Sequence, residues 1–138
     1  MEEKPVNEHI GRLTYRVPYA DTDQMGVVYY ANYLEYFERA RNEMLRGLNF
    51  SYKEMESMGF ALPVHEAKVT YKASARYDDL LEITAQCTKF DGLRLTIAAE
   101  VRREGQLLAS GYTVHVCVDL KTLHPVRPTP ELLHKLGF

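Results

Sequence analysis

The stretch YYANYLEYFERARNEMLRGL, residues 29–48, is the longest part of the chain with helical periodicity. Its apolar side chains recur three or four positions apart and so share one face: Tyr33, Leu34, Phe37, Met44, Leu45 and Leu48, with Ala40 and Arg41 completing the stripe. The opposite face is charged, and Gly47 is typical of a helix C-terminus. The stretch therefore predicts an amphipathic helix of about five turns, whose wide apolar face another layer must cover.

Alternating apolar and polar residues predict β-strands, most of them in the second half of the chain. The alternation runs through five segments, of which the first, before the helix, is the weakest: 9–17, 67–73, 81–88, 93–102 and 112–119. Asp91-Gly92 and Glu104-Gly105 predict hairpin turns between the last three. One long helix and about five antiparallel strands predict an α+β fold in which a curved sheet covers the helix. Open sheet edges favour pairing with a second copy of the chain.

Two short helices are also predicted. Ser51 and Glu54 have the spacing of a capping box, so a helix should follow them, run to about Met58 and stop at the next glycine. Thr129 followed by Pro130 predicts the start of a last helix, with proline at its first position.

The composition is that of one globular domain covering residues 1–138, with 1–8 as a loose tail. A formal net charge of −2 provides no general attraction to nucleic acid or to anionic membranes. No apolar run approaches the roughly 20 residues of a membrane span, and the acidic N-terminus is not a secretory signal. Cys87 and Cys117 fit buried thiols in a reducing compartment better than a disulfide scaffold or a zinc site. We therefore expect a cytoplasmic protein with no membrane span and no nucleic-acid partner.

The segment YADTDQMGVVYYANY, residues 19–33, combines features that a connector alone does not need. Asp21 and Asp23 precede a glycine, two valines and a group of tyrosines, directly before the predicted helix. The start of a helix presents unpaired N–H groups, which stabilise negative charge as it develops on a carbonyl oxygen. A carboxylate in the adjoining loop can act as a general base on water or as a nucleophile. The segment therefore predicts a minimal hydrolytic site.

Structural roles for the same residues remain open at this level. Either aspartate can be a helix cap, Gly26 suits any turn, and Tyr29 and Tyr33 can belong to the core. Two carboxylates can hold a divalent cation, but no further cluster of ligands in the sequence supports a metal site. His65 and Glu66 are neighbours on a strand and point to opposite faces, which argues against the acid–base pair of a dehydratase.

Residues 19–34 resemble the signature of the hotdog-fold acyl-CoA thioesterases, above all Asp21-Thr22-Asp23, Gly26-Val27-Val28-Tyr29-Tyr30 and Asn32-Tyr33-Leu34. The likeness continues through YFERARNEML, residues 36–45, and returns in SARYDDLLEI, residues 74–83, so that it covers nearly the whole chain. The branches it resembles are the 4-hydroxybenzoyl-CoA thioesterase type and the bacterial Tol–Pal-associated, YbgC-like type.

The resemblance implies a hydrolase that converts an acyl-CoA thioester to a free acid and CoA. It implies that Asp23 is the catalytic carboxylate and that the backbone N–H of Tyr30, in the first helical turn, is the oxyanion donor. Gly26 and Val27 would shape the loop under the thioester, whereas Asp21 would be a structural cap or a supporting partner. No metal or redox cofactor is implied, because CoA enters only as part of the substrate.

The resemblance also implies a long helix wrapped by an antiparallel sheet, with sheets joined between two protomers and the active site at their interface. A homodimer or a homotetramer built from two dimers is therefore expected. Tyr29 and Tyr33 are candidates for contact with the acyl group, although both can equally be core.

Two departures from the family pattern bear on these expectations. Tyr30 stands where many members of the Tol–Pal-associated branch have histidine, so its side chain is a poor candidate for proton transfer. Basic residues are few near the predicted hairpin at 89–94, which leaves Arg76, Lys89 and Arg94 as candidate CoA contacts. The rival functions are a non-catalytic acyl-CoA-binding module and a thioester dehydratase or hydratase on the same fold.

Overall fold

The computed structural model of the chain describes residues 9–138, so the tail predicted at 1–8 lies outside the described residues. Ten helices and strands follow one another in chain order, and a short 3-10 turn at Tyr19–Asp21 lies between the first two. Their bounds are β1 Gly11–Arg16, α1 Asn32–Gly47, α2 Tyr52–Met58, β2 Phe60–Ala61, β3 Val64–Tyr71, β4 Leu80–Phe90, β5 Arg94–Arg103, β6 Gln106–Val116, β7 Val118–Asp119 and α3 Pro130–Lys135.

Five strands form one antiparallel sheet in the order β1-β4-β5-β6-β3, and β2 pairs with β7 in a separate two-stranded sheet. Helix α1 packs against the five-stranded sheet through the apolar face that its sequence predicts. The core lies between these two layers, and its largest fully buried side chains include Tyr36, Phe37, Leu45, Leu81, Ile83, Leu95 and Leu108. The predicted α+β hotdog architecture, one long helix wrapped by a curved sheet of five strands, is therefore confirmed.

Glycine permits close backbone packing at two positions. A Cβ atom at Gly11 would overlap the backbone carbonyl of Ala40 in α1, and one at Gly111 would overlap that of Lys68 in the neighbouring strand β3. Neither position tolerates a side chain without backbone movement. Strand β1 therefore lies directly against α1, and the loop that joins them has a fixed start and a fixed end.

Helix α1 begins three residues later than predicted. The prediction started at Tyr29, but the backbone N–H of Tyr29 donates to the carbonyl of Asp21 in the preceding loop over 2.9 Å. Residues 29–31 form a turn instead, in which Asn32 N–H donates to Tyr29 O. A tertiary hydrogen bond thus decides a boundary that apolar periodicity cannot locate.

Strand β3 is shifted relative to the prediction of 67–73 and spans Val64–Tyr71. It ends early because the N–H groups of Lys72 and Ala73 both turn to the carbonyl of Leu108. The short strand β2 was not predicted, since two residues are too few to show a period. The strand predicted at 112–119 begins earlier, at Gln106, and its last two residues form β7, which pairs with β2. The capping box of α2 and the Thr129 cap of α3 are as predicted.

Both cysteines are buried, and burial raises the pKa of the Cys117 thiol to about 11. No helix among residues 9–138 combines the length and the hydropathy needed to cross a bilayer.

A buried polar chain joins β6 to α1. His115 is fully buried, and its Nδ1–H donates to the carbonyl of Leu62 at 2.8 Å, because a carbonyl can only accept. Its Nε2 therefore accepts from the hydroxyl of Thr113 at 2.8 Å, and that hydroxyl accepts in turn from Arg41 Nη1 at 3.4 Å. Burial lowers the pKa of His115 from 6.5 to about 4, so the ring is neutral in the folded protein at pH 7.

The lowered pKa of His115 predicts that the folded protein becomes less stable in mild acid. The pKa of His115 is lower in the folded chain than in the unfolded chain. The stabilisation of the fold by the neutral ring is therefore complete above pH 6.5 and is lost as the pH falls through about 4. A shift of this size corresponds to about 3 kcal/mol in the free energy of unfolding. Urea denaturation at several pH values should show that the free energy of unfolding falls more steeply with decreasing pH for the wild type than for His115→Gln. The exposed His124→Gln is the control, and equal slopes for wild type and His115→Gln would contradict the prediction.

Candidate active site

The loop between β1 and α1 folds back as a narrow hairpin. Asp23 N–H donates to Val27 O over 2.9 Å, and Gly26 N–H donates to Asp23 O over 3.0 Å. Gly26 has a φ of 78°, in the left-handed region that favours glycine. Val28 N–H donates to Ala75 O over 2.8 Å, which fastens the hairpin to the segment leading into β4. These bonds fix the backbone on both sides of Asp23.

The Asp23 carboxylate is held through one oxygen and open at the other. Its Oδ1 accepts from the N–H of Met25 at 2.9 Å, the geometry of an Asx turn. No group in the described part of the chain donates to Oδ2. The N-cap of α1 is Ala31, which makes no side-chain cap bond, so Asp23 does not cap the helix. One carboxylate oxygen is therefore available to a ligand.

Asp21 has a different and structural role. Its Oδ2 accepts from the hydroxyls of Tyr15 and Tyr36 at 2.8 and 2.7 Å, and its backbone carbonyl accepts from Asn32 Nδ2 at 2.9 Å. Burial and this carboxylate raise the pKa of Tyr15 to about 12, and the same two causes raise that of Tyr36. Of the two roles expected for Asp21, a structural cap or a supporting partner, the second is observed, because its side chain accepts from tyrosines of β1 and α1 and not from a helix N-terminus.

Tyr30 lies two residues before α1, so the expectation that it belongs to the first turn of the helix is wrong. Its backbone N–H finds no acceptor among residues 9–138, although its carbonyl accepts from the hydroxyl of Tyr71 at 2.9 Å. The side chain is 62% exposed and packs against the ring of Tyr29, with centroids 4.7 Å apart. An unpaired N–H at a helix entrance is a ready donor to an oxyanion.

Asp23 and Tyr30 meet in one cavity of about 330 Å³. Two more of the predicted site residues, Val27 and Tyr33, belong to its wall. Tyr33 is only 2% exposed and its hydroxyl accepts from Ala75 N–H at 3.1 Å, so it is a core residue that also touches the cavity. The cavity therefore brings together the residue with the open carboxylate oxygen, the residue with the unpaired N–H and apolar side chains.

Gly26 and Tyr29 do not line this cavity, in contrast to the other predicted site residues. Gly26 lies at the tip of the hairpin, and Tyr29 is half-exposed beside Tyr30. Each is next to a cavity residue in the chain, so each lies beside the cavity and not in its wall.

The end of β3 supplies residues that the sequence analysis missed. Tyr71, Lys72, Ala73 and Ser74 complete the cavity wall with Val28. No local pattern singled them out, since Tyr71 and Lys72 read as ordinary strand residues. Two long-range hydrogen bonds bring this end of the strand to the loop, one between Val28 and Ala75 and one from the Tyr71 hydroxyl to the carbonyl of Tyr30.

The other sequence candidates lie elsewhere. Arg76 forms a β-bridge with Val27 and is near the hairpin, whereas Lys89 and Arg94 belong to the β4–β5 hairpin. Neither His65 nor Glu66 lines the cavity, and Glu66 instead accepts from the hydroxyl of Tyr112. The cavity therefore lacks a histidine–acid pair among its described lining residues.

Comparison with known proteins places these features in a family context. A family model described as the thioesterase-like superfamily matches residues 17–136. The acyl-CoA thioester hydrolase YbgC of Escherichia coli O157:H7 is 39% identical over 131 residues, which cover 94% of each chain. The putative acyl-CoA thioesterase YneP of Bacillus subtilis is 30% identical and covers 86% of this chain and 87% of its own. The crystal structure of a DHNA-CoA thioesterase from Staphylococcus aureus superposes with a TM-score of 0.85 at 32% identity, covering 91% of this chain and 87% of that one.

The hydrogen bonds that Tyr15 and Tyr36 donate to Asp21 should contribute to stability, so the loss of one of these hydroxyls should lower the free energy of unfolding. Tyr36→Phe removes one of two donors to Asp21 and should lower the free energy of unfolding by about 1–3 kcal/mol, the scale of a hydrogen bond to a charged group. Tyr112→Phe is the matched control, because its hydroxyl donates to Glu66 on the surface, and its effect should stay within about 0.5 kcal/mol. Urea denaturation measures both variants, and equal losses would contradict a special role for Asp21.

Proposed function

The chain belongs to the thioesterase-like superfamily, and we propose that it is an acyl-CoA thioester hydrolase in which Asp23 is the catalytic carboxylate. Its product is a free carboxylic acid together with CoA. The observation that supports the assignment is the shared cavity, which is lined by both Asp23 and Tyr30, the residue whose backbone N–H is unpaired within residues 9–138.

The chemistry needs two groups. The N–H of Tyr30 donates to the carbonyl oxygen of the thioester and stabilises the negative charge that develops as the carbon becomes tetrahedral. Asp23 either removes a proton from an attacking water molecule or attacks the carbonyl carbon itself to form an anhydride that water then opens. In both routes the C–S bond breaks, the sulfur leaves as the CoA thiolate, and water supplies the oxygen and hydrogen of the products.

The remaining site residues support this arrangement. Val27 and Tyr33 contribute apolar wall to the cavity and contact the substrate there. Gly26 allows the turn that orients Asp23, and Tyr29 packs against Tyr30 at the mouth. The side chain of Tyr30 takes no part in proton transfer, because it is the backbone N–H that faces the reacting carbonyl in this proposal. No cofactor is required beyond the CoA of the substrate, since water and a carboxylate supply every atom that moves.

The proposed functional unit is a homodimer or a homotetramer in the cytoplasm. Strand β3 is an edge strand of the sheet, and nearly all its residues are exposed in the single chain. An edge of eight residues leaves a row of backbone groups unpaired, which favours pairing with the same strand of a second copy. The Asp23 cavity includes the end of this strand, so a second copy would lie beside the site.

Asp23→Asn should reduce the rate of CoA release at least about 10²-fold, because the amide can neither accept the proton from water nor form the anhydride. A thiol reagent measures released CoA without interference, because both protein thiols are buried. Asp78→Asn is the matched control, since Asp78 is exposed and pairs only with Arg16 in its surroundings. Full activity of Asp23→Asn would show that the carboxylate only stabilises the hairpin. Binding of acyl-CoA by the wild type without turnover would show that the protein is a binding module.

Sedimentation of the wild-type protein at micromolar concentration should give the mass of two or four chains, because the open edge of β3 pairs between copies. A purely monomeric and active protein would contradict the proposed dimer.

A further inference from the structure

We propose that Arg103, at the end of β5, is a positioning residue that holds the Asp23 loop in the geometry the hydrolysis needs. It acts through residues 74–79, which lie between β3 and β4 and which we call the β3–β4 segment. Arg103 is not among the residues that line the Asp23 cavity, so its role is to position other groups and not to contact the substrate. The inference rests on the proposed function, because the geometry that Arg103 maintains is that of the hydrolytic site.

The loop that carries Asp23 is attached to the β3–β4 segment on both sides of the carboxylate. Before Asp23, the backbone N–H of Val17 donates to the carbonyl of Asp79 over 2.9 Å. After Asp23, the N–H of Val28 donates to the carbonyl of Ala75 over 2.8 Å. The position of the loop therefore depends on the conformation of the β3–β4 segment.

Arg103 joins the two ends of the β3–β4 segment. Its Nη1 donates to Asp79 Oδ2 at 2.7 Å and to the backbone carbonyl of Ser74 at 3.3 Å. The same oxygen of Asp79 also accepts from the N–H of Arg76 at 2.8 Å. Because a guanidinium presents its N–H donors in fixed directions, it can hold a side chain and a carbonyl at the same time. One side chain of β5 thus fixes both the first and the last residue of the segment.

The ion pair of Arg103 and Asp79 is the least exposed one among residues 9–138. Its side chains are 27% and 23% exposed, whereas every other pair includes a side chain that is at least 44% exposed. Exposed pairs contribute little to stability, but a charge-assisted hydrogen bond that is partly shielded from water is stronger. Loss of the guanidinium would leave the Asp79 carboxylate without its cationic partner in a half-buried position.

The β3–β4 segment also holds part of the cavity wall. The hydroxyl of Tyr33 accepts from the N–H of Ala75 at 3.1 Å, and both Tyr33 and Ser74 line the Asp23 cavity. Burial raises the pKa of Tyr33, and the hydrogen bond from Ala75 and the positive charge of Arg103 oppose this rise. Arg103 therefore influences the wall of the cavity as well as the loop that carries the carboxylate.

Hydrogen exchange measured by NMR on the full chain tests the positioning directly and without reference to activity. In Arg103→Met the hydrogen bond between Val28 and Ala75 should open more often, so the Val28 amide should exchange at least about tenfold faster than in the wild type. Amides in the centre of β4 and β5 should keep their wild-type rates, whereas a general loss of stability would accelerate them too. Arg102→Met is the matched control, because Arg102 is on the same strand and pairs with Glu100 instead of the segment.

Steady-state kinetics then test the consequence for the site. Release of CoA from hexanoyl-CoA, hexadecanoyl-CoA and benzoyl-CoA identifies the substrate that the wild type hydrolyses fastest, and the variants are measured with it. Arg103→Met should lower kcat at least about tenfold, since small displacements of a reacting group cost up to about 10²-fold, while KM should stay within about threefold. Arg103→Lys should recover part of the loss, because it keeps a charge opposite Asp79 without the fork of donors. Arg102→Met should retain the wild-type kcat.

The outcomes that overturn the proposal are distinct from those that concern the hydrolase assignment. Wild-type exchange at Val28 in Arg103→Met overturns the positioning role, and so does faster exchange accompanied by an unchanged kcat. Asp79→Asn replaces Arg103→Met if that variant does not fold, because it removes the charge and keeps the size of the side chain, and the same changes are expected. If the wild type hydrolyses none of the three substrates, the hydrolase assignment fails, and exchange at Val28 alone decides whether Arg103 holds the loop.

Discussion

The hydrogen bonds to Asp21 are the constraint on which the rest of the site depends. One carboxylate oxygen receives hydroxyls from β1 and from α1, while the backbone carbonyl of the same residue receives Asn32 and the N–H of Tyr29. Strand, loop and helix are therefore tied at a single residue. Asp23 follows Asp21 closely in the chain, and Tyr30 lies next to Tyr29, whose N–H donates to Asp21. These hydrogen bonds therefore fix the position of Asp23 relative to Tyr30.

The two aspartates show how equal side chains obtain opposite tasks. Both carboxylates accept through one oxygen only, but Oδ2 of Asp21 binds tyrosine hydroxyls from β1 and α1, whereas Oδ1 of Asp23 binds the local N–H of Met25 and the residue lines a cavity. A carboxylate that joins two elements suits a structural role, and one that lines a cavity suits the proposed chemistry. The environment of each side chain, and not its residue type, distinguishes the structural residue from the proposed catalytic one.

Much of the fold was predictable from the sequence because its signals are local. The stripe of α1, the capping box of Ser51 and the alternation of β4, β5 and β6 each lie within one segment. The start of α1 was not predictable, because it depends on the bond between Tyr29 and Asp21. The cavity wall at Tyr71 and Lys72 was missed for the same reason, since only long-range pairing brings β3 to the loop. Arg41 was predicted as part of the helical stripe, but its hydrogen bonds to the hydroxyls of Tyr52 and Thr113 are visible only in three dimensions.

The attachment of the hairpin to residues far along the chain has a consequence for folding. Strand β1 has its pairing partner in β4, where Gly11 lies opposite Ala85, and Val28 is fastened to Ala75. During synthesis the first thirty or so residues leave the ribosome before those partners exist. The loop between β1 and α1 can therefore fold only after more than half of the chain has been synthesised. A folding intermediate that lacks β4 cannot hold the loop as it is held in the native structure, so the Asp23 cavity forms late, together with the sheet.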